Sequence, residues 1–290
     1  MTDKIAILGA NGVFARHLIP RLAAEKFDVR AVVRRPEAAG FARACGAAVA
    51  TADIFDIDSM HWAFAGCDLA INLATSLPGP SGRGDFAAND RLRVEGVPNF
   101  VEACRKAGVA KIIQQSIGWV AASGSDAWTD EDHVYRPEGE SISNSAIRAA
   151  LTMEDTIRQS GLGWMILRGG LFYGPGTGFD EGWFARAAAG KLRLPGDGLE
   201  YVSLVHIADM AAATALAARK FSSRSVITIC DFEPVQWRDL FGFICQSVGA
   251  EPPQAGGPPG FPSFRLKNAR AVAALGWQPR YRNYREGLAR

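Results

Sequence analysis

With 290 residues, 48% of them hydrophobic and 21% charged, and a formal net charge of +2, the chain can bury a large core and carries no field that would draw in nucleic acid. That bland balance points to a small-molecule partner. Five cysteines, Cys45, Cys67, Cys104, Cys230 and Cys245, are odd in number and never spaced as CxxC, which argues against a disulfide framework or zinc site and for a reducing cytoplasm.

The opening MTDKIAILGANG has glycines and an asparagine where a signal peptide needs an unbroken apolar run, and no later run approaches the 18 apolar residues of a membrane span. Along the chain, IAIL (5–8) predicts a strand and 13–24 a helix. VRAVV (29–33) is followed by a helix near 57–65, and LAINLA (69–74) by one near 90–107. KIIQQS (111–116) precedes a helix near 144–160, WMILR (164–168) precedes one near 207–219, and VITIC (226–230) closes the series. Short apolar runs alternating with amphipathic helices predict an α/β fold, a doubly wound parallel sheet of βαβ units. Two stretches rich in glycine and proline, 174–203 and EPPQAGGPPGFPS at 251–263, read as loops. They divide the chain into an expected dinucleotide-binding domain, 1–173 plus 204–230, and a small substrate lobe, 174–203 plus 231–290.

Directly after the first strand stand Gly9, Gly12 and Ala15, in the spacing of a phosphate-binding turn that opens a helix. The first glycine permits the turn and the second lets backbone approach a pyrophosphate, while the third position needs only a small side chain. The anion would sit on the helix amino terminus. The second strand ends VVRRPE, and guanidinium groups there match a ribose 2′-phosphate where a free 2′-hydroxyl would call for an acid, so Arg34 and Arg35 favour NADP over NAD. Asp28 lies at the other end of that strand. The alternative for the pair is two solvated surface arginines.

These features together resemble the extended or atypical branch of the short-chain dehydrogenase/reductase superfamily, the epimerase/dehydratase-like proteins. The resemblance runs through GANGVFA, ADIFD (52–56), INLAT (71–75), NFVEACRKAGVAKIIQQS (99–116), LRGGLFYGPG (167–176), LPGDG (194–198), VHIAD (205–209) and LGWQPRY (275–281). It implies a phosphate loop formed by Gly9, Asn11, Gly12, Val13, Phe14 and Ala15, adenine contacts from Asp53 and Ile54, and a ribose-side strand end at Leu73, Ala74 and Thr75. By the same resemblance Gly170 and Leu171 border the nicotinamide, and Ser116 is a further cofactor contact. For Asp53 a turn or helix cap is an equal alternative.

That family transfers protons with a tyrosine and a lysine four residues later on one helix face. Counting back from SGLGWMILR, these places are Ala146 and Ala150, and neither methyl group can move a proton. The closing serine of the fifth strand is Ser116 or, shifted by one, Ile117, and the family's helix asparagine falls at Arg93. Ser116 and Tyr173 are the candidate catalytic groups, with a strand-end cap and a pocket wall as their respective alternatives. Glu154 would serve as a base if buried, but reads more simply as a surface partner of Arg158 at i+4. The arginine that clamps a nucleotide-sugar diphosphate in relatives falls at Val202. Trp119, Tyr173, Phe179 and Trp183 suit an apolar or aromatic substrate instead. The basic tail from Arg265 to Arg290 reads as a solvated helix and tail, and the helix near 144–160 resembles one that builds homodimers. No metal is expected. Three functions follow: an NADP-dependent oxidoreductase with a non-standard proton route, a non-catalytic cofactor-binding sensor or scaffold, and, last, a sugar epimerase or dehydratase.

Overall fold

The computed structural model describes residues 3–78, 84–258 and 260–289; Pro259 of the second glycine- and proline-rich stretch and Arg290 of the basic tail lie outside them. Seven strands form the central sheet: β1 (Lys4–Leu8), β2 (Asp28–Val33), β3 (Ala48–Thr51), β4 (Leu69–Asn72), β5 (Lys111–Ile117), β6 (Gly163–Gly169) and β7 (Ser225–Ile229). Their order is β7-β6-β5-β4-β1-β2-β3, and the pairings from β3 through β2, β1 and β4 to β5 are parallel. Reversal of the order at β1 is what a doubly wound sheet requires. The six strands expected from apolar runs are present; β3, with the sequence AVAT, is a short edge strand of small, partly exposed side chains and does not stand out.

The chain divides into two compact units. The first comprises 1–116, 145–167 and 211–227, and the second 117–144, 168–210 and 228–290. In the first, α1 (Val13–Ala24) follows β1, and α2 (Ile57–Phe64) is capped by Asp56, whose carboxylate accepts from the N–H groups of Asp58 and Ser59. The expected helix near 90–107 is three segments: α3 (Phe86–Arg91), a π-turn over Leu92–Gly96, and α4 (Val97–Lys106). Such an insertion places one extra residue in the turn and re-aims the side chains around it. Phe64 of α2 and Phe100 of α4 meet edge to face, with ring centroids 5.7 Å apart, in a core shared with Ile112, Ile157 and Ile166. The pair contributes about 0.5–1.5 kcal/mol beyond its burial. Helix α5 (Ile142–Arg158) supplies Ile157 and Met153 to that core.

In the second unit the region expected as loop at 174–203 holds a helix, α6 (Phe179–Ala188), whose start is fixed by Glu181 accepting from Gly176 and Gly178 N–H. The second loop region contributes Gln254–Gly257 as a strand beside Arg193–Pro195. The basic tail is not a solvated appendage: Leu275, Trp277, Tyr284 and Leu288 are buried, and Arg265 lies 4.5 Å from the rings of both Trp128 and Tyr201. Its apolar residues, interspersed in sequence with the arginines, determine where it goes. All five cysteines are free, and among the described residues no helix is long and apolar enough to cross a membrane.

Candidate functional site

At the carboxyl ends of β1, β2 and β4 the first unit encloses a cavity of about 240 Å³ lined by, among others, Gly9, Asn11, Gly12, Arg34, Ile54 and Arg91. Gly9 is the residue on which this cavity depends. Its φ is +81°, and a Cβ built there would lie 2.9 Å from the Cα and N of Ala74. No side chain fits at that crossing of two strands without moving backbone. Its carbonyl accepts from Gly12 N–H at 3.0 Å, closing the turn, and Gly12 caps α1. The cradle therefore directs the amino end of a helix and its dipole at the cavity. Val13, Phe14 and Ala15 are the first residues of α1; Phe14 and Ala15 pack into the core behind the turn.

The facing wall is Leu73, Ala74, Thr75 and Ser76. A buried polar brace that sequence reasoning missed holds it. Asn72, 1% exposed, donates through Nδ2 to Gln114 Oε1 at 2.9 Å and accepts Ala74 N–H at 3.0 Å, while Asn89 accepts from Ser76 N–H. Each buried amide is satisfied, so the strand end is held rigid. The signal was present in the polar letters interrupting INLA and IIQQ.

Arg34 lines the cavity and Arg35 does not; the latter is 65% exposed and pairs with Glu37 at 3.8 Å. Asp28 sits at the start of β2, paired with Lys4 at 3.0 Å. Ile54 lines the cavity, while the carboxylate of Asp53 accepts from Phe55 N–H at 3.0 Å in a local turn and is not part of the lining. Phe55 and Arg91 line it too, and neither was singled out from sequence.

Ala146 and Ala150 are buried in α5, 4% and 0% exposed. Arg93, from the π-turn, donates through Nη1 to the carbonyl of Ala146 at 3.0 Å and pairs with Asp90 at 3.6 Å; Asp90 in turn accepts from Ser145 Oγ at 2.8 Å. Burial lowers the Arg93 guanidinium to about 10, against the pull of Asp90. One turn further along α5, Glu154 is wholly buried, which corrects the expectation of a surface residue. It accepts from Ser116 Oγ at 2.7 Å as well as from Arg158 Nη2 at 2.9 Å, so the i+4 pairing is real but one end of it lies in the interior. The partner that draws Glu154 inward lies 38 residues earlier in the chain, beyond the reach of a helical pattern. Ser116 is itself 1% exposed.

The other candidates belong to the second unit. Tyr173 is fully buried, its ring edge-on to His206 at 5.2 Å, and its hydroxyl has no hydrogen-bond partner among the described residues. Burial, reinforced by Asp231 and Asp209, raises the phenol far above its ordinary value, so it stays protonated. A Cβ at Gly287 would collide with it. Gly170 donates to Ile229 O at 2.9 Å and has no room for a Cβ against Ser203 O, while Leu171 is buried in a strand paired with Leu204–His206. Phe179 and Trp183 pack with centroids 6.2 Å apart, and Trp183 meets Trp237 at 6.0 Å. Trp119 stacks on Phe261 at 3.8 Å. Val202 is core, and no cluster of metal-ligating side chains occurs among the described residues.

A family model described as NAD(P)H-binding matches residues 9–183. A 3-diazoavenalumate denitrifying reductase from a Streptomyces species is 31% identical over 99% of both chains. A ketoreductase of Stigmatella aurantiaca, named for 4-hydroxy-2-methyl-3-oxo-4-farnesyl-3,4-dihydroquinoline-1-oxide, is 25% identical over 93% of this chain and 78% of its own. Among solved structures, a dTDP-glucose 4,6-dehydratase from Streptomyces venezuelae with NAD bound superposes with a TM-score of 0.82 at 18% identity, covering 99% of this chain and 94% of that one. At that identity the likeness is one of fold.

Proposed function

Because the chain belongs to the NAD(P)H-binding family and has the fold of the extended short-chain dehydrogenases/reductases, we propose that it is an NADPH-dependent reductase of an apolar or aromatic electrophile that needs no proton from the protein. A diazo-bearing arene is the favoured substrate class. The Gly9–Gly12 turn, the α1 amino end and Arg34 would hold the cofactor's phosphates, and Ile54, Leu73, Ala74 and Thr75 its adenosine half. Gly9 supports this fit, since a Cβ would fill the cradle. Bound there, the cofactor would supply one hydride, which on an arenediazonium takes the place of dinitrogen, so that a C–H bond forms as the C–N bond breaks and no proton is exchanged.

The observation that carries the reading is the pair of buried alanines, Ala146 and Ala150, where the resemblance puts the phenol and ammonium. A chain that lacks them has no proton donor at those places, and an acceptor that asks for none removes the contradiction. Ser116 Oγ already donates to Glu154, and the Tyr173 phenol holds its proton, so neither is required. Trp119, Phe179 and Trp183 pack on Phe261, on each other and on Trp237 within the second unit, so the apolar character of the substrate is proposed from the likeness to the diazo reductase and not from these rings.

Incubation with NADPH deuterated at C4 and a benzenediazonium carboxylate tests this. Deuterium in the arene, dinitrogen release and NADPH oxidation above the protein-free rate are the expected results. NADPH oxidation with ketones but not with diazonium would favour a ketoreductase instead. The second reading, a non-catalytic redox sensor or scaffold, is favoured by the same alanines, and predicts cofactor binding with no turnover on either class.

A further inference from the structure

A ribose 2′-phosphate carries between one and two negative charges near neutral pH, and one guanidinium leaves much of it unmet. Arg34 lines the nucleotide cavity and forms no hydrogen bond or ion pair with any described residue, which leaves its fork open. The neighbouring Arg35 is outside the lining and turned to Glu37. A second guanidinium does line the cavity, and it comes from a different element. Arg91, the last residue of α3, has its Cζ 4.5 Å above the ring of Phe55 and its Nε 2.7 Å from Glu95 Oε2. These two contacts fix the side chain, while Nη1 and Nη2 bond to no described residue. Phe55 is a large apolar ring left 39% exposed at the same cavity, where it serves as the platform that holds Arg91.

We propose that Arg91, with Arg34, forms the two-guanidinium site that selects the 2′-phosphate of NADP, and that Arg35 takes no part in it. The inference rests on the cofactor reading above and deepens it. Three physical points support it. The free edge of a guanidinium matches two phosphate oxygens at once. A side chain already held by an aromatic face and a carboxylate loses little further freedom when the anion arrives. Glu95 opposes the anion, but it is 56% exposed and lies behind Nε, so solvent and salt screen it.

Calorimetric titration with NADP⁺ and with NAD⁺ separates the possibilities, using the unaltered protein and R34A, R35A, R91A and R91K. Loss of a charge-assisted pair predicts that R91A weakens NADP⁺ by about tenfold or more. Its affinity for NAD⁺ should stay within about twofold of the unaltered protein, as expected for a contact made to the extra phosphate alone. R35A should leave both cofactors unchanged, and R91K, which keeps the charge without the fork, should fall between. An equal loss for both cofactors in R91A would assign Arg91 to the adenine and overturn the proposal; so would a selective loss in R35A. If the unaltered protein binds neither cofactor, the cofactor reading itself fails, a result no single-arginine variant can imitate. Thermal melts of each variant, with Arg91 61% exposed, guard against a folding defect.

Discussion

Replacing Ser116 with alanine tests whether its hydroxyl is a brace or a reagent. Glu154 is 0% exposed, and the 2.7 Å bond from Ser116 Oγ is one of the donors that make an interior carboxylate tolerable; Arg158 Nη2 at 2.9 Å is another. Ser116→Ala removes a hydrogen bond to a charged group and leaves the ion pair, a loss of about 2 kcal/mol. For a chain of this length that lowers the melting temperature by about 4 °C. Urea unfolding followed by circular dichroism measures it, with the midpoint moving and the slope constant. Glu154→Gln supplies the control. It keeps an acceptor for Ser116, and the freed Arg158, 32% exposed, still reaches Asp155 at 3.3 Å, so its cost is closer to about 1 kcal/mol. The double variant should be less than additive because the two side chains touch. If Ser116→Ala leaves stability within about 0.5 kcal/mol while NADPH turnover collapses, the bracing argument is wrong and the hydroxyl acts on the substrate.

Gly9→Ala must force a left-handed backbone and displace Ala74, so cofactor affinity should drop beyond tenfold, with about 1–3 kcal/mol of stability lost, read by calorimetry and melting. Asp231 is 2% exposed with Oδ2 unpartnered among the described residues. Burial, reinforced by the charges of Glu233 and Asp209 and opposed by the Glu233 N–H, holds its carboxyl well above the usual range. The folded state therefore binds a proton that the unfolded state has released from about pH 4 upward, and stability falls as pH rises toward the folded value. Asp231→Asn should be the more stable protein at pH 7–8 and show a flatter profile in urea midpoints taken from pH 4 to 8; an unchanged slope would remove Asp231 as its source. Size-exclusion with light scattering on the 31.1 kDa chain tests the homodimer expected from the helix at 144–160, and a monomeric mass would eliminate it.

The parts of this fold readable from sequence are those fixed by local periodicity. Strands β1, β2, β4, β5, β6 and β7 are apolar runs bounded by breakers, and α1 begins where the glycine spacing puts it. What escaped detection depends on residues distant in the chain. Glu154 reads as a surface acid until Ser116 is folded against it, and Asn72 reads as a flaw in a strand until Gln114 receives its amide. Helix α6 is hidden in a stretch whose glycines look like loop, because its start depends on Glu181 reaching back to two backbone N–H groups. Arg35 looks equivalent to Arg34 in the letters, yet the chain turns between them, and only one lines the cavity.

The places where the resemblance puts the phenol and ammonium lie beside the π-turn. Where the resemblance expects an asparagine, the π-turn presents Arg93, whose guanidinium occupies the carbonyl of Ala146. A lysine at position 150 would stand one helical turn from that carbonyl, next to a cation that burial already disfavours, and one turn before Glu154, whose carboxylate already accepts from Ser116 and Arg158. Arg93 and the helix turn that begins at Ala146 thus share one contact. Introducing Ala150→Lys alone should destabilise the protein without creating a ketone reductase. Adding Arg93→Asn should recover part of that stability, because it removes the like charge. A double variant no more stable than Ala150→Lys, measured by urea midpoint, would mean that the two positions do not sense each other.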